Sequence, residues 1–293
     1  MFRLILIALC LIASPVAAAA QAFVSDRISV ETRGRGPDVI LVPGLASTPA
    51  VWRRTAEALD DRHRVHLVSI KGFGTLPAGA NADGPVVGPL ADELRRFIAQ
   101  ERLGRPAVIG HSMGGLVALR AAADAGRLGG AGPGRIMVVD ASPFFPALIH
   151  HGATVGDVEP VARLAYSAVL FLGAEAVADQ GSILGGRLAP QAEAVFSTLG
   201  WQGGDRGVIA QALYEVMTLD LRHRLSEVQA PVTVVYGWSR NPDAARGRLD
   251  PLFRAAYASL PSGARFERIE GAEHMVMIDQ PNRFLAAVRR FLA

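Results

Sequence analysis

The sequence predicts an α/β fold in which a mostly parallel β-sheet is covered by helices. Short apolar, β-branched runs alternate along the chain with longer segments of helical periodicity, and this alternation is typical of parallel strands joined by helical crossovers. The runs are continuously apolar, as expected for strands buried on both faces. Half of the 293 residues are hydrophobic and 19% are charged, which suits a globular chain with a sizeable core.

The individual elements follow from these runs. The predicted parallel strands are Val39–Val42, Arg64–Ile70, Ala107–Ile109, Ile136–Val139, Val232–Tyr236 and Arg265–Ile269. Ile28–Thr32 is expected to add an antiparallel strand ahead of them. The helices predicted to accompany this sheet are Val51–Leu59, Leu90–Arg102, Met113–Ala125, Leu252–Ser259 and Arg283–Leu292.

The alternation stops between residues 143 and 229, where the sequence predicts a helical cap. This stretch contains no convincing strand pattern. The cap would interrupt one α/β core formed by residues 23–142 and 230–293. Its helical patterns and glycine-rich joints are Val161–Leu172, Gln191–Leu199, Val208–Met217, Gly185-Gly186 and Gly203-Gly204.

Residues 1–22 have the order of a secretory signal peptide. Arg3 precedes the apolar stretch Leu4–Ala13, Pro15 breaks it, and small residues with A-x-A spacing follow. The apolar stretch is short of the roughly 20 residues that a membrane span needs, so stable membrane insertion is not expected. The sequence therefore predicts an exported protein, periplasmic or secreted after cleavage.

Composition excludes several other classes of function. Cys10, the one cysteine, lies within the predicted leader, so the mature chain would have no disulfide, thiolate nucleophile or cysteine metal site. The net charge is +3, and no Lys/Arg-rich cluster marks a nucleic-acid surface. The adjacent pair His150 and His151 has no acidic neighbour at metal-ligand spacing and is interpreted as cap surface, so no metal is expected.

The segment "AVIGHSMGGL", residues 107–116, contains the motif G-x-S-x-G between a predicted strand and a predicted helix. A nucleophile elbow requires this context, because a tight turn lifts the serine hydroxyl above the end of the sheet. The helix that follows also favours negative charge at its N-terminus. Ser112 is therefore the candidate nucleophile.

A serine nucleophile needs a general base and donors for the oxyanion. Of the seven histidines, His274 is the one that follows the last predicted strand, in "IEGAEHMVMIDQP". The backbone N–H of Met113, directly after the nucleophile, is one expected donor. The second is the N–H of Leu45 in "PGLAST", the loop after an early strand.

These segments, together with "SIKGFG" and "APVTVVYG", resemble the α/β-hydrolase family, in its branch of exported single domains with a cap. The resemblance extends from about residue 28 to residue 292. It implies an eight-stranded, mostly parallel sheet with the cap after the sixth strand, and a Ser-acid-His triad in that chain order. It also implies that no cofactor is needed.

The acid of the triad is the least defined residue. The resemblance implies an aspartate soon after the strand that ends at Gly237, but Ser239 and Arg240 occupy the nearest positions. Asp243 is the first choice, because it lies in the loop where most relatives keep their acid. Asp140 and Asp250 stay open as alternatives: the former ends the run "IMVVD", and the latter is expected to begin a helix as an ordinary capping residue.

The sequence thus predicts a serine hydrolase that cleaves an ester or similar acyl bond. The apolar segment "LAYSAVLFLGAEAVA" in the cap favours a small, apolar ester as the substrate. A carbon–carbon bond hydrolase or an acyltransferase would use the same triad. A non-catalytic small-molecule receptor on the same fold is the alternative from another class. The oligomeric state is left open.

Overall fold

The computed structural model of the chain describes residues 23–173 and 202–293. Within them, seven strands form one sheet in the order β1-β3-β2-β4-β5-β6-β7. β1 pairs antiparallel with β3, and the other neighbours are parallel. The strands are β1 Ile28–Gly34, β2 Asp38–Val42, β3 Arg64–Ile70, β4 Ala107–His111, β5 Arg135–Val139, β6 Val232–Trp238 and β7 Ala264–Glu270.

The predicted mostly parallel sheet is confirmed, and every predicted strand overlaps one of these seven. The family resemblance implied eight strands. The described residues form seven.

Helices follow most of the strands. The predicted helix Val51–Leu59 is a 3-10 turn, Pro49–Trp52, that leads directly into α1. The predicted helix Gln191–Leu199 and the pair Gly185-Gly186 lie outside the described residues. The α-helices of the described chain are α1 Arg53–Glu57, α2 Val87–Gln100, α3 Met113–Leu128, α4 Val155–Leu172, α5 Arg206–Thr218, α6 Leu249–Ala256, α7 Val276–Asp279 and α8 Pro281–Leu292.

The core consists of two apolar layers, one on each face of the sheet. Successive side chains of a strand point to opposite faces. In β2, Ile40 and Val42 therefore pack in the layer that contains α2 and α3, while Val39 and Leu41 pack in the layer that contains α8. This burial on both faces explains why the strands are continuously apolar in sequence.

The segment between β5 and β6 contributes α4 and α5, which pack against each other. Its Gln202 donates a backbone hydrogen bond to the carbonyl oxygen of Ala46 at 2.9 Å. Gly204 forms an antiparallel bridge with Phe73. The segment is thus attached to the loops that follow β2 and β3, at the carboxyl edge of the parallel strands. No helix in the part of the chain described is long and apolar enough to cross a membrane.

Candidate active site

Ser112 lies in a tight turn between β4 and α3, with φ 51° and ψ −120°. The residues two positions before and after it must be glycine because the backbones approach so closely. A Cβ on Gly110 would lie 2.2 Å from the carbonyl oxygen of Gly114, and a Cβ on Gly114 would lie 2.4 Å from that of Val42. This is the strained strand–turn–helix geometry that the motif predicts.

His274, in the loop after β7, forms a hydrogen bond with a carboxylate. Its Nδ1–H donates to Oδ2 of Asp140 at 2.7 Å, and both side chains are almost fully buried. Its Nε2 is also buried and has no hydrogen-bond partner among the described residues. With the proton on Nδ1, Nε2 presents a free lone pair, which is the form that a general base needs.

Asp140 directly follows β5 and receives hydrogen bonds from three groups. Besides His274, the backbone N–H of Gly237 donates to Oδ1 at 3.0 Å. Nη1 of Arg246 contacts Oδ1 at 2.7 Å and Oδ2 at 3.0 Å. Burial alone would raise the pKa of Asp140, but the charge of Arg246 and the hydrogen bonds outweigh it and hold the pKa well below its usual range. The carboxylate is therefore ionised.

The structure places Asp140, and not the first choice Asp243, against His274. Asp243 is exposed in the loop after β6, where its backbone N–H donates to Oδ1 of Asn241 at 3.0 Å. No contact between Asp243 and His274 occurs. The same loop instead directs Arg246 toward the carboxylate of Asp140, so the carboxylate beside His274 is the one that follows the neighbouring strand β5.

Asp250 lies in the first turn of α6 but does not cap it. Its carboxylate accepts a hydrogen bond from the hydroxyl of Tyr236 at 2.6 Å and pairs with Arg268 at 2.6 Å. Asp250 therefore connects α6 to β6 and β7 as a structural residue.

Backbone strain is concentrated at this site. In the described part of the chain, the non-glycine residues with positive φ are Ala46, Arg102, Ser112 and Asp140. Ser112 is the predicted nucleophile, Asp140 contacts His274, and Ala46 follows the predicted oxyanion donor. Such conformations cost about 1–3 kcal/mol each and cluster at functional sites, so the strain at Asp140 is an independent mark of its place in the site.

The two predicted oxyanion donors lie beside the nucleophile. Met113 is the first residue of α3, so its N–H has no carbonyl partner within the helix. Leu45 lies in a turn closed by a hydrogen bond from Ser47 N–H to Gly44 O at 3.2 Å. A Cβ on Gly44 would lie 3.1 Å from Cβ of Ser112, so this loop passes directly over the elbow.

His111, next to the nucleophile, connects the elbow to the loop of His274, a role that the sequence did not predict. Its Nε2–H donates to the backbone carbonyl of His274 at 3.0 Å, and the two rings lie 4.6 Å apart. Burial lowers the pKa of His111 to about 3, so its imidazole stays neutral. Its position as the first variable residue of G-x-S-x-G is the signal that could have identified it.

No metal centre is formed by the residues whose positions are described: none of their His, Cys, Asp and Glu side chains form a group of three or more that could hold an ion. His150 and His151 are both exposed.

The family model for the alpha/beta hydrolase family matches residues 39–288, and the chain belongs to this family. It is 27% identical over 278 residues to a pimeloyl-[acyl-carrier protein] methyl ester esterase of Aliivibrio fischeri, covering 89% of this chain and 96% of that protein. An Aeromonas hydrophila protein of the same name is 29% identical over 289 residues, covering 90% and 99%.

Solved structures agree on the fold. A thermophilic esterase from Thermogutta terrifontis superposes with a TM-score of 0.68 at 22% identity, covering 90% of this chain and 92% of that one. An esterase from Exiguobacterium antarcticum superposes with a TM-score of 0.64 at 20% identity, covering 90% and 94%.

Proposed function

We propose that the protein is a serine hydrolase that cleaves ester bonds through Ser112, His274 and Asp140. The observation that carries this proposal is the contact between His274 Nδ1 and Asp140 Oδ2 at 2.7 Å, which leaves Nε2 unpaired. His111 of the elbow holds the backbone of the same histidine through a hydrogen bond of 3.0 Å. The relatives named as methyl ester esterases and the solved esterases support the same bond type.

In the proposed reaction, the hydroxyl oxygen of Ser112 attacks the ester carbonyl while Nε2 of His274 takes its proton. The backbone N–H groups of Leu45 and Met113 stabilise the oxyanion of the tetrahedral intermediate. The imidazolium then gives the proton to the leaving alcohol, and the acyl group stays on the serine. Water, deprotonated by the same nitrogen, releases the acid. Asp140 holds the imidazole in the required tautomer and stabilises its charged form.

The proposed substrate is a small ester with an apolar acyl or alcohol group. The cap segment from Leu164 onward is apolar, and the exposed Leu164, Phe171 and Leu172 of α4 belong to it; its residues 174–178 lie outside the described chain. We propose that residues 143–229 act as the cap of this site. The attachment of Gln202 to the loop of Ala46 supports this arrangement.

Three alternative functions, a receptor, a carbon–carbon bond hydrolase and an acyltransferase, differ in the residues and products that they require. A non-catalytic receptor was suggested by the missing acid after β6, and the carboxylate of Asp140 beside His274 removes that reason. A carbon–carbon bond hydrolase or an acyltransferase would use the same residues. Product analysis with an ester substrate, with and without an added alcohol, separates these reactions.

The test is the hydrolysis of nitrophenyl esters of increasing acyl length, by the parent protein and by Ser112→Ala. The expected result is turnover by the parent and a loss on the order of a million-fold in the variant, with an unchanged melting temperature. A fluorophosphonate probe should label the parent and not the variant. Retention of more than about a tenth of the parent rate by Ser112→Ala would contradict the proposal.

A further inference from the structure

Arg246 is a charged residue of the site that the proposed reaction does not use. It lies in a short 3-10 turn, Ala245–Arg248, in the loop after β6. Its Nη1 contacts both oxygens of Asp140, at 2.7 and 3.0 Å. Its Nε lies 3.2 Å from Oε2 of Glu273, the residue before His274. A single guanidinium thus connects the loop of the acid with the loop of the base.

This contact is largely shielded from solvent. The side chain of Arg246 is 18% exposed and that of Asp140 is 5% exposed, whereas the side chain of Glu273 is 65% exposed. A guanidinium stays protonated at every accessible pH. Its charge acts on the buried carboxylate with little screening, while the charge of Glu273 is weakened by water.

Protonation of His274 would add a second positive group beside the carboxylate of Asp140. When His274 takes a proton, its imidazolium and the guanidinium of Arg246 share the carboxylate of Asp140. The stabilisation that the carboxylate gives to the imidazolium is therefore smaller than it would be without the arginine. Four other titratable groups surround Asp140 and His274. His111 at the end of β4 and Glu273 in the loop of His274 lie next to them. Asp279 of α7 accepts a hydrogen bond from the backbone of Glu273, and Tyr257 after α6 donates one to the carbonyl of Ala141.

We propose that Arg246 is a positioning residue that fixes the carboxylate of Asp140 and limits the proton affinity of His274, and thereby sets the acid limb of the pH–rate profile. The contact of Nη1 with both carboxylate oxygens holds the carboxylate in one rotamer, with Oδ2 directed at Nδ1 of His274. The charge of the guanidinium opposes a second positive charge on the imidazole, because both groups would bind the same carboxylate. This inference rests on the proposed function.

The experiment compares Arg246→Gln, which removes the charge, with Arg246→Lys, which keeps it. Arg240→Gln is the matched control, because Arg240 lies in the same loop but is 79% exposed and pairs with Glu270. For each protein, kcat/KM for a nitrophenyl ester is measured from pH 4 to 9. The midpoint of the acid limb should rise by about one pH unit in Arg246→Gln. It should stay within about 0.3 units of the parent in Arg246→Lys and Arg240→Gln.

A second readout does not depend on turnover. In a Ser112→Ala background, NMR of the His274 imidazole follows its protonation directly, and Arg246→Gln should move its midpoint upward by the same amount. Unchanged midpoints in both experiments would overturn the inference while leaving the proposed function in place. A parent protein without ester hydrolysis or fluorophosphonate labelling would refute the proposed function instead. If Arg246→Gln does not fold, Arg246→Met, which also removes the charge, takes its place: a midpoint raised by about one unit would support the inference, and an unchanged midpoint would overturn it.

Discussion

Replacing Asp140 by asparagine should abolish most of the activity, and the hydrogen bonds explain why. Oδ1 of Asp140 accepts from the backbone N–H of Gly237 and from Arg246. An asparagine must keep its one oxygen at that position, because both neighbours are donors. Its NH2 group would then face Nδ1 of His274 and donate to it. The imidazole would carry its proton on Nε2, and that nitrogen could no longer accept the proton of the serine.

The magnitude follows from this change of tautomer. The same exchange in well-studied triads lowers kcat about ten-thousand-fold, which corresponds to about 5 kcal/mol of transition-state stabilisation. Stability should fall as well, because Arg246 loses its buried counter-charge. Removing one partner of a buried pair costs about 3–5 kcal/mol. We expect the lower end of this range, since Glu273 still lies near the guanidinium.

The assay is nitrophenyl ester hydrolysis by Asp140→Asn, with folding checked by circular dichroism and urea unfolding. Asp243→Asn is the matched control: the same isosteric change in an exposed loop, expected to leave kcat within about twofold of the parent. An active Asp140→Asn would refute the tautomer argument. A disabled Asp243→Asn would show that the loop after β6 supplies the acid, in conflict with the geometry.

Three further predictions concern the surroundings of the site and the start of the chain. Gly44→Ala should lower kcat at least tenfold, about 1.4 kcal/mol, because its Cβ would lie 2.8 Å from Nδ1 of His111. Gly104→Ala is the control, since no atom lies within 4 Å of its Cβ, and it should match the parent. Equal rates for the two variants would contradict the packing argument. The folded protein keeps His111 neutral down to a pKa of about 3, whereas the unfolded chain takes up a proton below about pH 6.5, so this residue lowers the free energy of unfolding by about 3 kcal/mol as the pH falls from 6.5 to 4. His111→Gln keeps a hydrogen-bond donor but does not titrate, so its free energy of unfolding, measured by urea unfolding, should fall less than that of the parent over the same pH range. Equal falls in the two proteins would contradict this prediction. The mature protein should begin at Gln21 or Phe23 and lie outside the cytoplasm; mass spectrometry that finds the intact initiator methionine would contradict export.

The sequence predicted the sheet, and it proposed Ser112 and His274 as site residues, because local patterns define these features. A continuous apolar run marks each buried strand, and the elbow motif at Ser112 requires its glycines whatever the rest of the chain does. His274 was identified by its place after the last strand. These signals are local and do not depend on how distant loops fold.

The structure places Asp140 and not the first choice Asp243 beside His274, because this contact depends on which loop reaches the imidazole. Spacing along the chain favoured Asp243, but spacing does not tell whether that loop folds its aspartate or its arginine toward β5. The available signal was the position of Asp140, an aspartate that ends a buried strand adjacent in the sheet to the strand of the nucleophile. The roles of His111 and Arg246 depend on contacts between segments more than 100 residues apart, which periodicity does not encode.

The attachment of Gln202 to Ala46 has a consequence for exchanging the proposed cap with a segment from another member of this family. Ala46 directly follows the proposed oxyanion donor Leu45 and holds a strained backbone conformation. The amide side chain of Gln202 also accepts hydrogen bonds from the backbone and hydroxyl of Thr48. A transplanted cap without this glutamine would leave the loop without its outer support, even if every catalytic side chain were retained. Recombination boundaries should therefore be placed so that residues 45–48 and 202–204 are inherited together.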